Sequence, residues 1–120
     1  MENRVLVVED SALITTALRI VLESNGYEVT IARTAAEAIE AASAIRPDVM
    51  LLDLTLPDGD GLLVLGELAP RGASPPVTLA ITGDNDDVTR ARCIAAGCSD
   101  VLVKPVPIHE LLRIIAERMT

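Results

Sequence analysis

The stretch VMLLDLTLPDGDG, Val49 to Gly61, sets an unbroken apolar run before a carboxylate and a polar loop. Short apolar runs bounded by turn residues are typical of strands buried on both faces of a parallel sheet. The run ends at Asp53, and we expect the LPDGDG loop after it to be flexible and to leave that side chain reachable. Because ligands of open parallel sheets bind outside the carboxyl ends of the strands, Asp53 is a candidate functional residue.

The rest of the chain repeats this arrangement, with apolar runs that alternate with amphipathic stretches. Five runs are predicted as strands: residues 4–8, 28–32, 48–53, 77–82 and 100–103. Five stretches with helical spacing of apolar residues are predicted as helices: residues 11–26, 34–45, 61–68, 86–97 and 107–119. Strict alternation predicts an α/β fold, a doubly wound five-stranded parallel sheet of order 2-1-3-4-5 with helices on both faces.

Local signals indicate where the helices begin and which faces they bury. Ser11 is predicted to cap the first helix, and Thr34 with Glu37 forms the T-x-x-E pattern of a capping box at the second. Apolar residues at helical spacing predict the buried stripes of the first and last helices. These are Ile14, Leu18, Val21 and Leu22 in the first, and Ile108, Leu111, Leu112, Ile115 and Met119 in the last.

Length, composition and charge exclude several classes of protein. The 120 residues, half of them apolar, suffice for one domain, residues 1–120. A net charge of −8 argues against nucleic-acid binding, which needs a basic face. No apolar run is long enough to span a bilayer, and the charged start MENRVLVVED differs from a secretory signal, so we expect a cytoplasmic domain without a membrane partner. Cys93 and Cys98 suit neither zinc nor a disulfide scaffold and are predicted to be reduced and apolar.

Polar side chains stand at the carboxyl ends of four predicted strands. Glu9 and Asp10 end the first strand, Asp53 the third, Thr82 the fourth and Lys104 the fifth. In the order 2-1-3-4-5 the first and third strands are neighbours at the point where the winding direction reverses, so their three carboxylates converge on one pocket. Each of these residues by itself is common in turns and helix caps. Their joint placement at equivalent strand ends, however, indicates a functional site.

Three clustered carboxylates need a proton or a cation. Two unit charges about 4 Å apart repel by about 4 kcal/mol at an effective dielectric near 20. Carboxylate oxygens suit a hard divalent ion, and Mg²⁺ accepts phosphate oxygens as further ligands. Thr82 offers a hydroxyl and Lys104 a cation to the same phosphate. The constellation therefore predicts a site that stabilises a phosphoryl group attached to Asp53.

The motifs VLVVEDS, PDVMLLDLTLPDGDG, ITG and AGCSDVLVKP resemble those of the receiver domains of bacterial two-component response regulators, over essentially the whole chain. The resemblance implies the flavodoxin-like receiver fold and makes Asp53 the phosphoacceptor. It implies that Asp10, Glu9, Asp53 and the backbone carbonyl of Thr55 hold Mg²⁺. Thr82 then corresponds to the switch hydroxyl. Lys104 corresponds to the lysine that pairs with the phosphoryl group, with a cis bond to Pro105.

The resemblance also implies partners. A histidine kinase or a histidine phosphotransfer protein would supply the phosphoryl group to this phosphorelay domain, which would not be a turnover enzyme. A homodimer through the last helices is a further implication. The chain ends with the last predicted helix, so a single-domain regulator and a piece of a larger regulator or hybrid kinase both stay open.

One position departs from the family pattern. Three residues before Lys104 the family usually carries an aromatic residue that follows the switch hydroxyl, and here that residue is Val101. A valine has few rotamers and no ring to swing between surface and interior. We therefore expect output coupling to rely more on Thr82 and on residues 83–87.

Three other functions compete with this interpretation. A flavin-binding module needs a phosphate-binding loop after the first strand, but the acidic pair Glu9 and Asp10 would repel phosphate there. A phosphatase of the aspartyl-phosphate type typically has a second acid two residues after the nucleophile, where this chain has Thr55. A pseudo-receiver, a binding module that acts without phosphorylation, remains the alternative, because Val101 replaces the usual aromatic residue.

Overall fold

The computed structural model describes residues 3–119, which form a central parallel sheet and a small hairpin. The seven strands are β1 (Arg4–Val8), β2 (Glu28–Ala32), β3 (Val49–Asp53), β4 (Thr55–Leu56), β5 (Gly59–Asp60), β6 (Val77–Thr82) and β7 (Asp100–Val103). The main sheet has the order β2-β1-β3-β6-β7, and all its neighbours are parallel. Counted among these five strands, the order is the predicted 2-1-3-4-5.

Five helices connect the strands, and their predicted starts are confirmed. They are α1 (Ala12–Ser24), α2 (Ala35–Ile45), α3 (Leu62–Leu68), α4 (Asp87–Ala96) and α5 (Ile108–Arg118). Ser11 Oγ accepts the backbone N–H of Ile14, and Thr34 Oγ1 accepts that of Glu37. The carboxylate of Glu37 reaches back to the N–H of Arg33, one residue before the cap, and so completes a variant of the predicted capping box.

Each face of the sheet has its own core, because alternate residues of every buried strand point to opposite sides. Leu6 and Val8 face α2, α3 and α4, whereas Val5 and Val7 face α1 and α5. Cys93 and Cys98 are free and buried in the first of these cores, as predicted, and burial raises the pKa of the Cys98 thiol to about 12. The two cores fix the strand ends from both sides.

Two sequence expectations differ from the structure. Ile14 and Ile108, assigned to buried stripes, are 42% and 39% exposed. Both lie in the first turn of their helices, past the carboxyl ends of the strands, where the sheet no longer covers them. The LPDGDG segment, predicted as a loop without strands, contains most of the β4–β5 hairpin, in which Thr55 pairs with Asp60 and Leu56 with Gly59. Its glycine at position 59 has φ +141°, which favours glycine over other residues.

Among residues 3–119, none of the helices combines the length and the continuous apolar character that a bilayer crossing requires.

Candidate functional site

The three predicted carboxylates meet at the carboxyl edge of the sheet. Strands β1 and β3 are neighbours with Val8 opposite Leu52, so the residues that follow them lie side by side. One carboxylate oxygen from each of Glu9, Asp10 and Asp53 lies within 4.8 Å of the others. Asp53 is 4% exposed and Glu9 is 7% exposed, while Asp10 faces solvent. The cluster thus has two buried members and one open side.

Lys104 reaches into this cluster from the end of β7. Its Nζ lies 3.0 Å from Asp53 Oδ2 and 3.8 Å from Glu9 Oε1. The backbone N–H of Lys104 donates to the carbonyl of Thr82 at 2.8 Å, and the Lys104–Pro105 bond is cis, as the resemblance implied. One ammonium group therefore faces two buried carboxylates, and the pocket keeps an excess of negative charge.

The pKa of Glu9 shows this imbalance. Burial is the main cause that raises it above its ordinary value, and hydrogen bonding and repulsion from Asp53 raise it further. The backbone N–H of Ser11 and the charge of Lys104 oppose the rise without cancelling it. A divalent cation would relieve the same repulsion, and the clustered oxygens are the hard donors that Mg²⁺ prefers. The residues present therefore fit the ion that the sequence predicted.

Backbone N–H groups hold the loop after Asp53 close to the end of β3. Thr55 N–H donates to Asp53 Oδ1 at 2.9 Å, which keeps Thr55 next to the cluster. Gly61 N–H donates to the carbonyl of Leu54 at 2.9 Å. A Cβ at Gly61 would stand 2.2 Å from the backbone oxygen of Asp53, so this position has room for glycine and for no larger residue. The close approach brings the hairpin directly over the end of β3.

Thr82 lies at the end of β6, the strand next to β3. Asp53 pairs in register with Ile81, which puts Thr82 one residue beyond that pair. Its hydroxyl is buried and accepts the backbone N–H of Asp84 at 3.0 Å. That hydrogen bond uses the oxygen as acceptor and leaves the hydroxyl proton to be donated elsewhere. A phosphoryl oxygen on Asp53 would be a suitable acceptor.

Val101 lies apart from the pocket. Val101 is on β7, where it pairs in register with Ala80 of β6, and it is buried in the core that contains Cys93 and Cys98. Its side chain is 6% exposed and shares this core with Cys93 of α4, and a valine has few rotamers. Of the residues singled out in the sequence, Glu9, Asp10, Asp53 and Lys104 share the cluster, and Thr55 and Thr82 flank it.

The structure adds residues that sequence reasoning missed. Asp58 accepts the backbone N–H groups of Ala35 and Ala36 at 2.8 and 3.1 Å and so ties the hairpin to the start of α2. Asp60 accepts the N–H of Leu62 and forms an ion pair with Arg92 on α4. The acidic pair in PDGDG was visible in the sequence, but its partners belong to elements far along the chain.

Curated relatives match the chain over most of its length. It is 42% identical over 108 residues to the transcriptional regulatory protein KdpE of Mycobacterium tuberculosis, a match that covers 90% of this chain and 47% of that protein. It is 38% identical over 112 residues to the response regulator MprA of Mycobacterium ulcerans, covering 93% of this chain and 48% of that protein. The chain thus spans about half the length of these relatives.

Solved structures share the fold. A CheY-like response regulator receiver domain protein from Methanospirillum hungatei has a TM-score of 0.89 at 29% identity, with 99% of this chain and 94% of that chain covered. The receiver domain of sensor histidine kinase PA1611 from Pseudomonas aeruginosa, with a magnesium ion coordinated in its active-site cleft, has a TM-score of 0.84 at 30% identity, covering 99% and 98%. The model of the response regulator receiver domain matches residues 5–116, and the chain belongs to that family.

Proposed function

We propose that this receiver domain accepts a phosphoryl group on Asp53 from a phosphohistidine of a partner protein, in the presence of Mg²⁺. The observation that carries the proposal is the convergence of Glu9, Asp10, Asp53 and Lys104 at one sheet edge, in a chain of this family. The buried carboxylate of Asp53 accepts hydrogen bonds from a backbone N–H and an ammonium group, which hold it in one orientation. A fixed orientation suits a nucleophile.

Each residue has a role in the transfer. Asp10, Glu9, Asp53 and the carbonyl of Thr55 would hold Mg²⁺, which supplies positive charge for the oxygens of the incoming phosphoryl group. An oxygen of Asp53 attacks phosphorus, a P–O bond forms, and the P–N bond to the donor imidazole breaks. Lys104 pairs with the transferred group, since its Nζ already lies 3.0 Å from Asp53 Oδ2. Thr82 donates its hydroxyl proton to a phosphoryl oxygen.

Thr82 also starts the conformational switch in this proposal. The Thr82 oxygen accepts the N–H of Asp84 while its proton is free, so when Thr82 moves to donate that proton to a phosphoryl oxygen, this hydrogen bond moves the exposed loop of residues 83–87 with it. Val101 stays in the core. A comparison of the free and beryllofluoride-bound forms by crystallography or NMR tests this division of roles. Movement centred on Val101, with Thr82 in place, would contradict it.

The donor protein docks where the pocket opens. An apolar cavity of about 350 Å³ lies between α1 and the start of α5, with Ile14 and Ile108 on its walls and Glu9 and Lys104 at its inner end. A donor that brings its phosphohistidine to Asp53 covers this opening. The exposure of the two isoleucines fits a helix of a histidine kinase or phosphotransfer protein packed against them.

The wider setting follows from the relatives. Two are named as response regulators or transcriptional regulators, so we infer a signalling switch, not a turnover enzyme, that works in the cytoplasm. A homodimer through α4 and α5 fits the exposed apolar side chains of Val88 and Ile94 on α4. Sedimentation velocity with and without beryllofluoride tests the dimer, and a monomer in both states would reject it.

Intact mass after incubation with acetyl phosphate tests the chemistry. We expect one added phosphoryl group that requires Mg²⁺ and is absent from Asp53→Asn, a variant of nearly the same shape. Glu40→Gln, an exposed acid on α2 outside the cluster, is the control and should be phosphorylated like the wild type. No adduct in the wild type, with Mg²⁺ binding still measurable, would favour the pseudo-receiver alternative.

A further inference from the structure

One ion pair connects the β4–β5 hairpin, which follows Asp53, to α4. Asp60 stands opposite Thr55 in the hairpin, and its Oδ2 faces Nη2 of Arg92. Its other oxygen accepts the N–H of Leu62 at 2.9 Å, which orients the carboxylate. We propose that Arg92 is a positioning residue that holds α4 in its resting place by this ion pair, and so opposes the phosphorylated conformation. The second part of this inference rests on the proposed function.

Helix α4 has little other anchorage on the body of the domain. Of its ten residues, all of which the structure describes, Cys93 alone is buried. Val88 and Ile94 are 71% and 56% exposed. The helix cap at Asp86 bonds within α4 itself, to the N–H of Thr89, and adds no contact with the sheet. Besides the packing of Cys93 and the approach of α4 to α3 and β7, the ion pair of Arg92 is therefore a main restraint on the position of α4.

The ion pair closes one side of a cavity that reaches the switch residue. The cavity, about 300 Å³, is bounded by Thr55 and Asp60 on the hairpin side, by Thr82, and by Thr89 and Arg92 on α4. It gives the first turns of α4 space to move without a clash. A helix with open space beside it and few buried side chains can move with little loss of packing.

The direction of the effect follows from the Thr82 hydrogen bond. When Thr82 moves to donate its proton to a phosphoryl group, the hydrogen bond from the N–H of Asp84, three residues before α4 begins, moves with it. The loop and the first turn of α4 then shift relative to β6. Arg92 ties the same helix to the hairpin that follows Asp53, so this shift strains or breaks its ion pair. Weakening the pair should favour the phosphorylated conformation.

The test uses matched arginines on one helix. Arg92→Gln removes the ion pair, and Asp60→Asn removes it while its amide oxygen can still accept the N–H of Leu62. Arg90→Gln is the control, since Arg90 is exposed on the same helix and has no ion pair among residues 3–119. Hydrogen exchange of residues 87–96 without Mg²⁺ or phosphodonor should be about two- to fivefold faster in both variants and unchanged in the control, as an exposed ion pair permits.

Beryllofluoride binding in Mg²⁺ tests the coupling to the switch. Both variants should bind about two- to fivefold more tightly than wild type, and the double variant should match either single one because they remove the same contact. Unchanged exchange in Arg92→Gln, or an equal rise in Arg90→Gln, would overturn the anchor. Faster exchange with unchanged binding would overturn the coupling. Wild type that binds no beryllofluoride would refute the proposed function, while the exchange comparison still decides the anchor.

Discussion

At the scale of single residues, the site buries two carboxylates, those of Asp53 and Glu9, side by side. Asp53 is almost fully buried, and its carboxylate accepts hydrogen bonds from the N–H of Thr55 and from Lys104. Glu9 is buried beside it, and burial is the chief cause that raises its pKa, against the opposing effects of the Ser11 N–H and the charge of Lys104. The cost of this arrangement falls on the stability of the metal-free protein, and a bound cation removes it.

Replacing Glu9 with glutamine should stabilise the metal-free protein at pH 7. The folded-state pKa of Glu9 lies above its ordinary value of 4.5, so its favourable contribution is complete below that pH and is lost as pH rises through the folded pKa. Urea unfolding of wild type and Glu9→Gln should therefore differ at pH 7 and converge below about pH 4.5. The exposed Glu40→Gln is the control. Equal stabilities at pH 7 would contradict this assignment.

Replacing Gly61 with alanine should damage both stability and phosphorylation. The added Cβ would lie 2.2 Å from the backbone oxygen of Asp53, and overpacking of this kind costs about 1–3 kcal/mol or more. Gly66→Ala is a matched control in α3, where a Cβ meets nothing within 4 Å and should stabilise the helix by about 0.5–1 kcal/mol. Opposite shifts in the urea midpoint are expected. A Gly61→Ala protein as stable as wild type would exclude the close approach.

At the scale of elements, the sequence predicts where strands and helices begin and end but not the contacts between them. The bounds of β1 and β2 agree with the apolar runs, and Ser11 and Thr34 mark the starts of α1 and α2 because caps are local chemistry. The β4–β5 hairpin has strands of two residues, too short for any periodicity to show. The ion pair of Asp60 with Arg92 joins residues 32 apart and depends on the fold itself.

The cap of α2 should contribute measurably to stability. Thr34 Oγ1 accepts the N–H of Glu37 at 3.1 Å, and loss of such a cap costs about 1 kcal/mol. Thr34→Ala should lower the free energy of unfolding by about that amount, whereas Thr34→Ser should retain most of it. Circular dichroism during urea unfolding measures both. Identical losses in the two variants would show that the methyl group, not the hydroxyl, is the important part.

At the scale of the whole molecule, packing in the two cores fixes the strand ends, although the carboxylates placed there repel each other. The predicted order of strands was sufficient to bring Glu9 and Asp53 together, because β1 and β3 are neighbours in any sheet of that order. The orientation of Lys104 and the turn of Thr82 towards Asp84 were not predictable, since they depend on side-chain contacts across three strands. The sequence thus predicts which residues form the site better than it predicts the hydrogen bonds among them.

Mg²⁺ should stabilise the entire domain through this one site. A ligand that binds the folded state alone stabilises it by about 2.7 kcal/mol at a hundredfold excess over its Kd. Thermal unfolding should therefore shift upwards with Mg²⁺ in wild type and in Glu40→Gln. The shift should be much smaller in Asp10→Asn, which lacks one carboxylate of the cluster. An equal shift in Asp10→Asn would place the bound ion elsewhere.

The most direct test of the central claim is to locate the phosphoryl group on the chain. Borohydride reduces an aspartyl phosphate to homoserine, so the modified position can be read by peptide mass spectrometry after reaction with acetyl phosphate and Mg²⁺. The account predicts homoserine at position 53 and at no other acidic residue, with none in samples that lack Mg²⁺. Homoserine at Asp10 or at another acid, with Asp53 unmodified, would contradict it.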